Sequence, residues 1–129
     1  MRIIIRNSSE VAIYQQIYDQ IKEAILKKQI MEGDVLPSIR QLARELKVSV
    51  ITTTRAYTDL EKDGYIVIMQ GKGCFVKAMK RTQLEEMVLT EFERCAREAI
   101  HQARILKKQD EEIIEMFTMI MEDKDGAGD

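Results

Sequence analysis

A mainly α-helical fold with one small β-hairpin is predicted by three observations. Apolar residues recur at helical spacing in three stretches before residue 62. The period then shortens to two strand-like runs flanking a glycine-bearing turn, and from Thr82 to Asp123 the chain contains neither Gly nor Pro. With 129 residues, the chain accommodates one modest domain plus an appendage, not two full-sized domains.

The order of elements follows from the residues. Residues 2–5 (RIII) are β-branched and read as a short strand or an apolar arm, and Asn7-Ser8-Ser9 is turn-like. A first helix carries Ile13, Ile17, Ile21, Ala24 and Ile25 on one side, with Gln15, Gln16, Asp19, Gln20, Lys22 and Glu23 on the other, and ends near Lys28. Gly33-Asp34 and the single proline, Pro37, interrupt the chain before Ser38, an N-cap with Gln41 three residues on. The second helix turns Leu42, Ala43 and Leu46 inward. After the short turn Lys47-Val48-Ser49, a third helix capped by Ser49 places Thr53, Ala56, Tyr57 and Leu60 on one face and stops at Gly64. Residues 65–69 and 74–76 are rich in strand formers, and the tip Gln70-Gly71-Lys72-Gly73 suits the positive backbone dihedrals of hairpin turns.

The tail reads as two antiparallel helices. Thr82, with Glu85 three residues on, forms a capping box, and Leu84, Met87, Val88, Phe92, Cys95, Ala96, Ala99, Ile100 and Ala103 follow at helical spacing. Asp110 is the expected N-cap of a shorter helix bearing Ile113, Met116, Phe117 and Ile120. The final residues 125–129 are expected to fray. Helix, helix, tight turn, helix and hairpin make a winged helix-turn-helix domain over 1–78, with the helix-turn-helix at about 38–62 and the wing at 65–77. A helical dimerisation tail over 79–129 follows.

Composition excludes several classes. Hydrophobic residues at 45% and charged residues at 33% fit a globular chain. No run of about 18 apolar residues spans a bilayer, and the N-terminus is too soon polar for a secretory signal, so a cytoplasmic location and no membrane partner are expected. Cys74 and Cys95 match neither a disulfide framework nor a metal spacing, and His101, expected to be half-buried on its helix, has no nucleophile or carboxylate to work with. Gly71-Lys72-Gly73 lacks the spacing and the following helix of a phosphate-binding loop. No cofactor, metal or enzymatic activity is expected. The net charge of -2 conceals an asymmetry: residues 1–80 hold 13 Lys and Arg against 9 Asp and Glu, residues 81–129 hold 7 against 13. The front part can face phosphates while the acidic tail stays away from them.

The residues Gly33-x-x-Leu36-Pro37-Ser38-x-Arg40-x-Leu42-Ala43, Leu46-x-Val48-Ser49, Thr52, Ala56-Tyr57, Leu60, Gly64 and Gly71-x-Gly73-x-Phe75-Val76 resemble the GntR family of bacterial transcription regulators over roughly residues 10–77. The short tail, Ile39 and the Ala56-Tyr57 pair are similar to its YtrA-like subgroup. The resemblance implies that Arg40 contacts DNA from the start of the second helix. It also implies that the stretch Ser49, Val50, Ile51, Thr52, Thr54 and Arg55 supplies the recognition surface, and that Gln70, Gly71 and Lys72 enter the minor groove or lie on phosphates. Each assignment has a plainer alternative. Arg40 and Lys72 can be solvated charges, and Ser49 and Thr52 can be caps. Val50 and Ile51 depart from the Arg or Asn of relatives and either meet thymine methyls or pack under the N-terminal arm.

The function expected on this basis is a sequence-specific, homodimeric regulator, a repressor that occupies a near-palindromic double-stranded DNA operator. Leu84, Val88, Phe92, Ile100, Ile113, Phe117 and Ile120 are expected to form its dimer seam. The alternative is a winged-helix protein-interaction adaptor without specific DNA binding, which has no need of Arg40 or Lys72. A small-molecule effector of unknown identity is left open; the tail has little volume beside its own core, which points any such ligand to the dimer interface.

Overall fold

The computed structural model describes residues 1–123; the expected fraying of 125–129 lies outside the described residues. Among the described residues, five helices and a three-stranded antiparallel sheet follow one another as α1 (Ile13–Leu26), β1 (Val35–Leu36), α2 (Ile39–Leu46), α3 (Val50–Lys62), β2 (Ile66–Met69), β3 (Gly73–Val76), α4 (Arg81–Ile105) and α5 (Asp110–Glu122). They form two compact units, one running from Met1 to Leu84 and a second that begins at Glu85.

In the first unit, the apolar stripes expected on the first three helices meet. Ile17, Ile21, Ala24 and Ile25 of α1, Leu42 and Ala43 of α2, and Thr53, Ala56, Tyr57 and Leu60 of α3 are buried. The buried hydroxyl of Thr53 is satisfied locally, because its Oγ1 donates to the Ser49 carbonyl at 3.1 Å. Tyr57 also finds a partner: its hydroxyl donates to the Pro37 carbonyl at 2.7 Å and ties α3 to the segment that enters α2. Burial raises the Tyr57 pKa above its ordinary value, so the phenol stays a donor. Tyr18 of α1 donates to the Asp63 carboxylate at the C-cap of α3.

The helix ends carry a repeated device. After α3, Tyr65 N–H bonds the Leu60 carbonyl at 2.9 Å and Gly64 N–H the Glu61 carbonyl at 3.1 Å, with Gly64 at φ +87. This is the paired bonding of a Schellman motif. The same pair recurs after α1, α2 and α4, where Lys28, Lys47 and Lys107 occupy the left-handed position at φ 57, 58 and 59. A lysine there completes the orphan carbonyls and places a cation near the negative end of the helix dipole, but its Cβ crowds the backbone. Lys28→Gly is therefore expected to raise the unfolding free energy by about 0.5–1 kcal/mol, the left-handed penalty less the added entropy of glycine. Chemical denaturation measures it, and a lower midpoint at unchanged slope would show that the lysine's favourable interactions outweigh its strain.

The sheet differs from the expected two-stranded hairpin. β2 and β3 pair with Ile66 opposite Val76, Val67 opposite Phe75, Ile68 opposite Cys74 and Met69 opposite Gly73. β1 adds a third strand on the other edge of β3, Val35 opposite Phe75 and Leu36 opposite Cys74. A strand of two residues is too short for a period to register in sequence, and it exists because Gly33 and Asp34 also bond Val76 across the gap. Within the sheet, Ile66 of β2 and Cys74 and Val76 of β3 are buried. Burial pushes the Cys74 thiol up from its ordinary pKa, which makes it an inert core residue.

Residues 1–6 form neither helix nor strand, so the arm reading holds. In the tail, both expected caps are displaced. Helix α4 starts at Arg81, and Gln83, not Glu85, reaches back to accept from the Lys80 N–H at 3.1 Å. Helix α5 is capped at Gln109, whose N–H donates to Glu112 at 3.1 Å. Asp110 is the first helical residue instead, with its carboxylate paired to Arg104 of α4. His101 is exposed, not half-buried, because it lies about 200° around α4 from the buried Ala103.

Candidate nucleic-acid interface

A helix can present side chains to a DNA groove only if its ends are fixed and its outer face is free. Helix α3 meets both conditions. Its N-terminus is set by Ser49, whose Oγ accepts from Thr52 N–H at 3.0 Å and donates to Thr52 Oγ1 at 2.8 Å. The Ser49 hydroxyl thus caps the helix, and the Thr52 hydroxyl accepts from it. With Thr52 Oγ1 accepting, its own hydroxyl hydrogen remains available to an outside acceptor.

Residues 53, 56, 57 and 60 face the core, which turns Ile51, Arg55 and Thr58 outward on the opposite side of α3. Ser49, Val50, Ile51, Thr54 and Arg55 are exposed and Thr52 is half-buried. Ile51 is 83% exposed and Val50 45%, so the N-terminal arm does not cover Ile51. Arg55 is less free than its exposure suggests: its guanidinium stacks 3.7 Å from the centre of the Tyr14 ring on α1. Stacking occupies one flat face and leaves the in-plane N–H donors pointing outward.

Arg40 lies in the first turn of α2, exposed, beside the Ser38 cap whose Oγ accepts from Gln41 N–H at 3.0 Å. Among the described residues no ion pair engages it. In the wing, Lys72 N–H bonds the Met69 carbonyl at 2.8 Å and closes a turn over Gln70 and Gly71. Gly71 sits at its third position with φ +78, the conformation a type II turn requires there. Gln70, Gly71 and Lys72 are all exposed.

Three positioning contacts were not legible in sequence. Glu61 of α3 accepts from the Ile68 backbone N–H at 2.7 Å and fastens the β2–β3 hairpin to α3. Tyr14 supports Arg55. Gln16 and Gln20 of α1 hold the N-terminal arm. Each joins residues distant in sequence through a side chain that looks like an ordinary surface residue. The only legible hint was the presence of two glutamines one helical turn apart.

Among the described residues, no group of His, Cys, Asp and Glu is placed to hold a metal ion, and no helix is long and apolar enough to cross a membrane. In the tail unit, Ala103 and Ile113 are the buried residues, whereas Val88, Phe92, Ile100 and Ile120 are exposed, Phe92 and Ile120 by two thirds. Leu84, in the first unit, and Phe117 are half-buried.

Comparison with known proteins agrees with this geometry. Residues 13–76 match the family described as bacterial regulatory proteins, gntR family. The HTH-type transcriptional repressor YtrA of Bacillus subtilis is 32% identical over 119 residues, 92% of each chain. A GntR-family transcription factor, YtrA of Sulfolobus acidocaldarius, is 32% identical with a TM-score of 0.59, covering 95% of this chain and 99% of that one. A structure described as a transcriptional antiterminator from Listeria monocytogenes superimposes with a TM-score of 0.74 at 29% identity, over all of this chain and 95% of the other. The near-complete match to YtrA includes the tail as well as the winged helix. The chain therefore belongs to the gntR family of bacterial regulatory proteins, in its YtrA-like subgroup, and is a DNA-binding transcription regulator.

Proposed function

We propose that the chain is a repressor that acts as a homodimer in the cytoplasm and occludes transcription by occupying a near-palindromic operator. The observation that carries the DNA-facing part is the outer face of α3, rigidly capped and exposed from Ser49 to Arg55. In this reading, residues 1–78 are the DNA-binding domain, and α3 enters the major groove. Val50 and Ile51 meet thymine methyls, while Thr52, Thr54 and Arg55 bond base edges or the flanking phosphates. Arg40 contributes a bidentate phosphate contact, and Gln70, Gly71 and Lys72 lie against the backbone. Residues 79–129 pair two copies through Leu84, Val88, Phe92, Ile100, Ile113, Phe117 and Ile120. No cofactor takes part. Any small-molecule effector would act at the dimer interface.

Capture on beads carrying the promoter region upstream of the chain's own gene, with an unrelated duplex as competitor, tests the reading against a protein-interaction adaptor. Retention that survives the competitor is expected; loss to the competitor at equal concentrations would favour the adaptor.

Two substitutions separate the two kinds of DNA interaction. Arg40→Ala is expected to weaken operator binding by about 1–3 kcal/mol at unchanged melting temperature, because an exposed guanidinium contributes binding energy and no core packing. Unchanged affinity in a normally folded variant would remove Arg40 from the interface. Lys72→Ala is expected to weaken binding to all duplexes alike and to flatten the plot of log affinity against log salt by about one unit for each phosphate that Lys72 neutralises. A loss confined to the operator would instead make Lys72 a reader of bases.

A further inference from the structure

The first six residues contain no regular structure, yet they are held at two points. Gln20 accepts from the Ile4 N–H at 2.9 Å and donates to the Ile4 carbonyl at 2.8 Å. One turn earlier on α1, Gln16 accepts from the Arg6 N–H at 2.9 Å and donates to the Arg6 carbonyl at 3.0 Å. Its amide also reaches the Val11 carbonyl at 2.8 Å, closing the loop back to the helix.

A primary amide offers a donor and an acceptor side by side, as a peptide group does. Each glutamine therefore reproduces the double exchange that joins paired residues of antiparallel strands. The spacing also fits. Residues four apart on a helix are separated by about 6 Å, and residues two apart in an extended chain by about 6.6 Å. Two glutamines at i and i+4 can thus grip alternate residues of an extended arm running the opposite way.

This grip fixes which side chains face outward. Ile3 and Ile5 are half-buried, whereas Arg2, Ile4 and Arg6 are exposed. Ile5 and Asn7 border a recess shared with Glu45, Lys47, Ser49 and Thr52, so the arm passes beside the turn and the capped first turn of α3. Among the described residues, no ion pair engages Arg6. Glu45 is the carboxylate on the recess wall, and Glu10 the one on the following turn.

We propose that the arm is a third DNA-contacting element, in which Arg6 neutralises a backbone phosphate beside the groove entered by α3 and Gln16 and Gln20 are positioning residues that order it beforehand. The proposal rests on the DNA-binding reading of α3. An unheld arm would lose its backbone freedom only on meeting DNA and would give up affinity for it; the two amides order the arm in the free protein. Arginine suits the task, since its fork of donors matches a phosphate. Glu45 and Glu10 are the carboxylates that a bound phosphate would have to avoid.

The test measures affinity against salt for the full chain, with a duplex carrying the protected operator and an unrelated duplex of equal length. Arg6→Ala is expected to lower affinity for both duplexes and to flatten the log–log plot by about 0.9 unit for each phosphate released, about 1.8 for a dimer. Arg6→Lys should restore most of the slope. Gln16→Met removes the grip while keeping the length of the unbranched side chain. It should speed hydrogen exchange at the Arg6 amide and weaken binding in the wild-type arm, yet add nothing to the Arg6→Ala loss. An unchanged slope in Arg6→Ala, with wild type bound normally, would overturn the proposal and leave the reading of α3 intact. Additive losses in the double variant would overturn the positioning role of Gln16. Failure of the wild type to bind either duplex would overturn the reading of α3 and this proposal together.

Discussion

A chain ending at Leu84 is expected to fold as a winged helix but to bind a two-fold operator about two to four orders of magnitude more weakly than the full chain. The cut follows the boundary of the first unit, which closes at Leu84, so the first turn of α4 stays with the domain. In the proposed homodimer, what is lost is the second binding head. One winged helix makes half of the DNA interactions, and tethering a second raises its effective concentration to the millimolar range without any new contact. The tail is suited to that task by its surface. With Ala103 and Ile113 buried but Phe92, Ile114, Met119, Ile120 and Met121 each more than 60% exposed, it hides little of its apolar area within one copy. Faces of this kind mark interfaces. Its acidic excess, 13 Asp and Glu against 7 Lys and Arg over residues 81–129, is best held away from the operator. Sedimentation of both forms, alongside titration of the operator, checks the prediction. A full-length monomer at micromolar concentration, or a truncated form that still dimerises and binds as tightly, would place the seam elsewhere.

The second large effect is on folding. Ile17→Ala is expected to cost about 2–5 kcal/mol, because Ile17 is fully buried on α1 and its removal leaves a cavity that the surrounding helices fill only in part. Domains of this size are stable by only about 5–15 kcal/mol, so the variant should melt well below the wild type. DNA binding should fall with the folded fraction. That pattern is the reverse of Arg40→Ala, which spares melting and loses affinity. Urea denaturation followed by circular dichroism gives the comparison, and a cost below about 1 kcal/mol would show that the α1 packing site collapses freely.

How far the molecule was legible in its sequence depended on whether a feature was periodic. The faces of α1, α2 and α3 are written in repeats of Ile, Leu, Ala and Tyr, and the stripe residues Ile17, Ile21, Leu42, Ala56, Tyr57 and Leu60 are buried. The caps Ser38 and Ser49 were legible because a hydroxyl just before an apolar repeat has a local partner, and both bond the expected backbone N–H. The helix starts in the tail lie one or two residues before Thr82 and Asp110: Gln83 accepts from the Lys80 N–H, Glu112 from the Gln109 N–H, and Asp110 pairs with Arg104. Strand β1 was invisible because two residues have no period. The contacts around the candidate interface, Glu61 to Ile68, Tyr14 to Arg55 and the two glutamines to the arm, depend on which elements become neighbours. No local pattern encodes that.

In the proposed dimer, two copies of α3 read the same face of a duplex in successive major grooves. Hydroxyl-radical footprinting of the full chain on its own promoter region tests it most directly. Two protected blocks related by two-fold symmetry are expected, with centres about one helical turn apart, roughly 10–10.5 base pairs. A single asymmetric block, or uniform weak protection along the whole fragment, would contradict it.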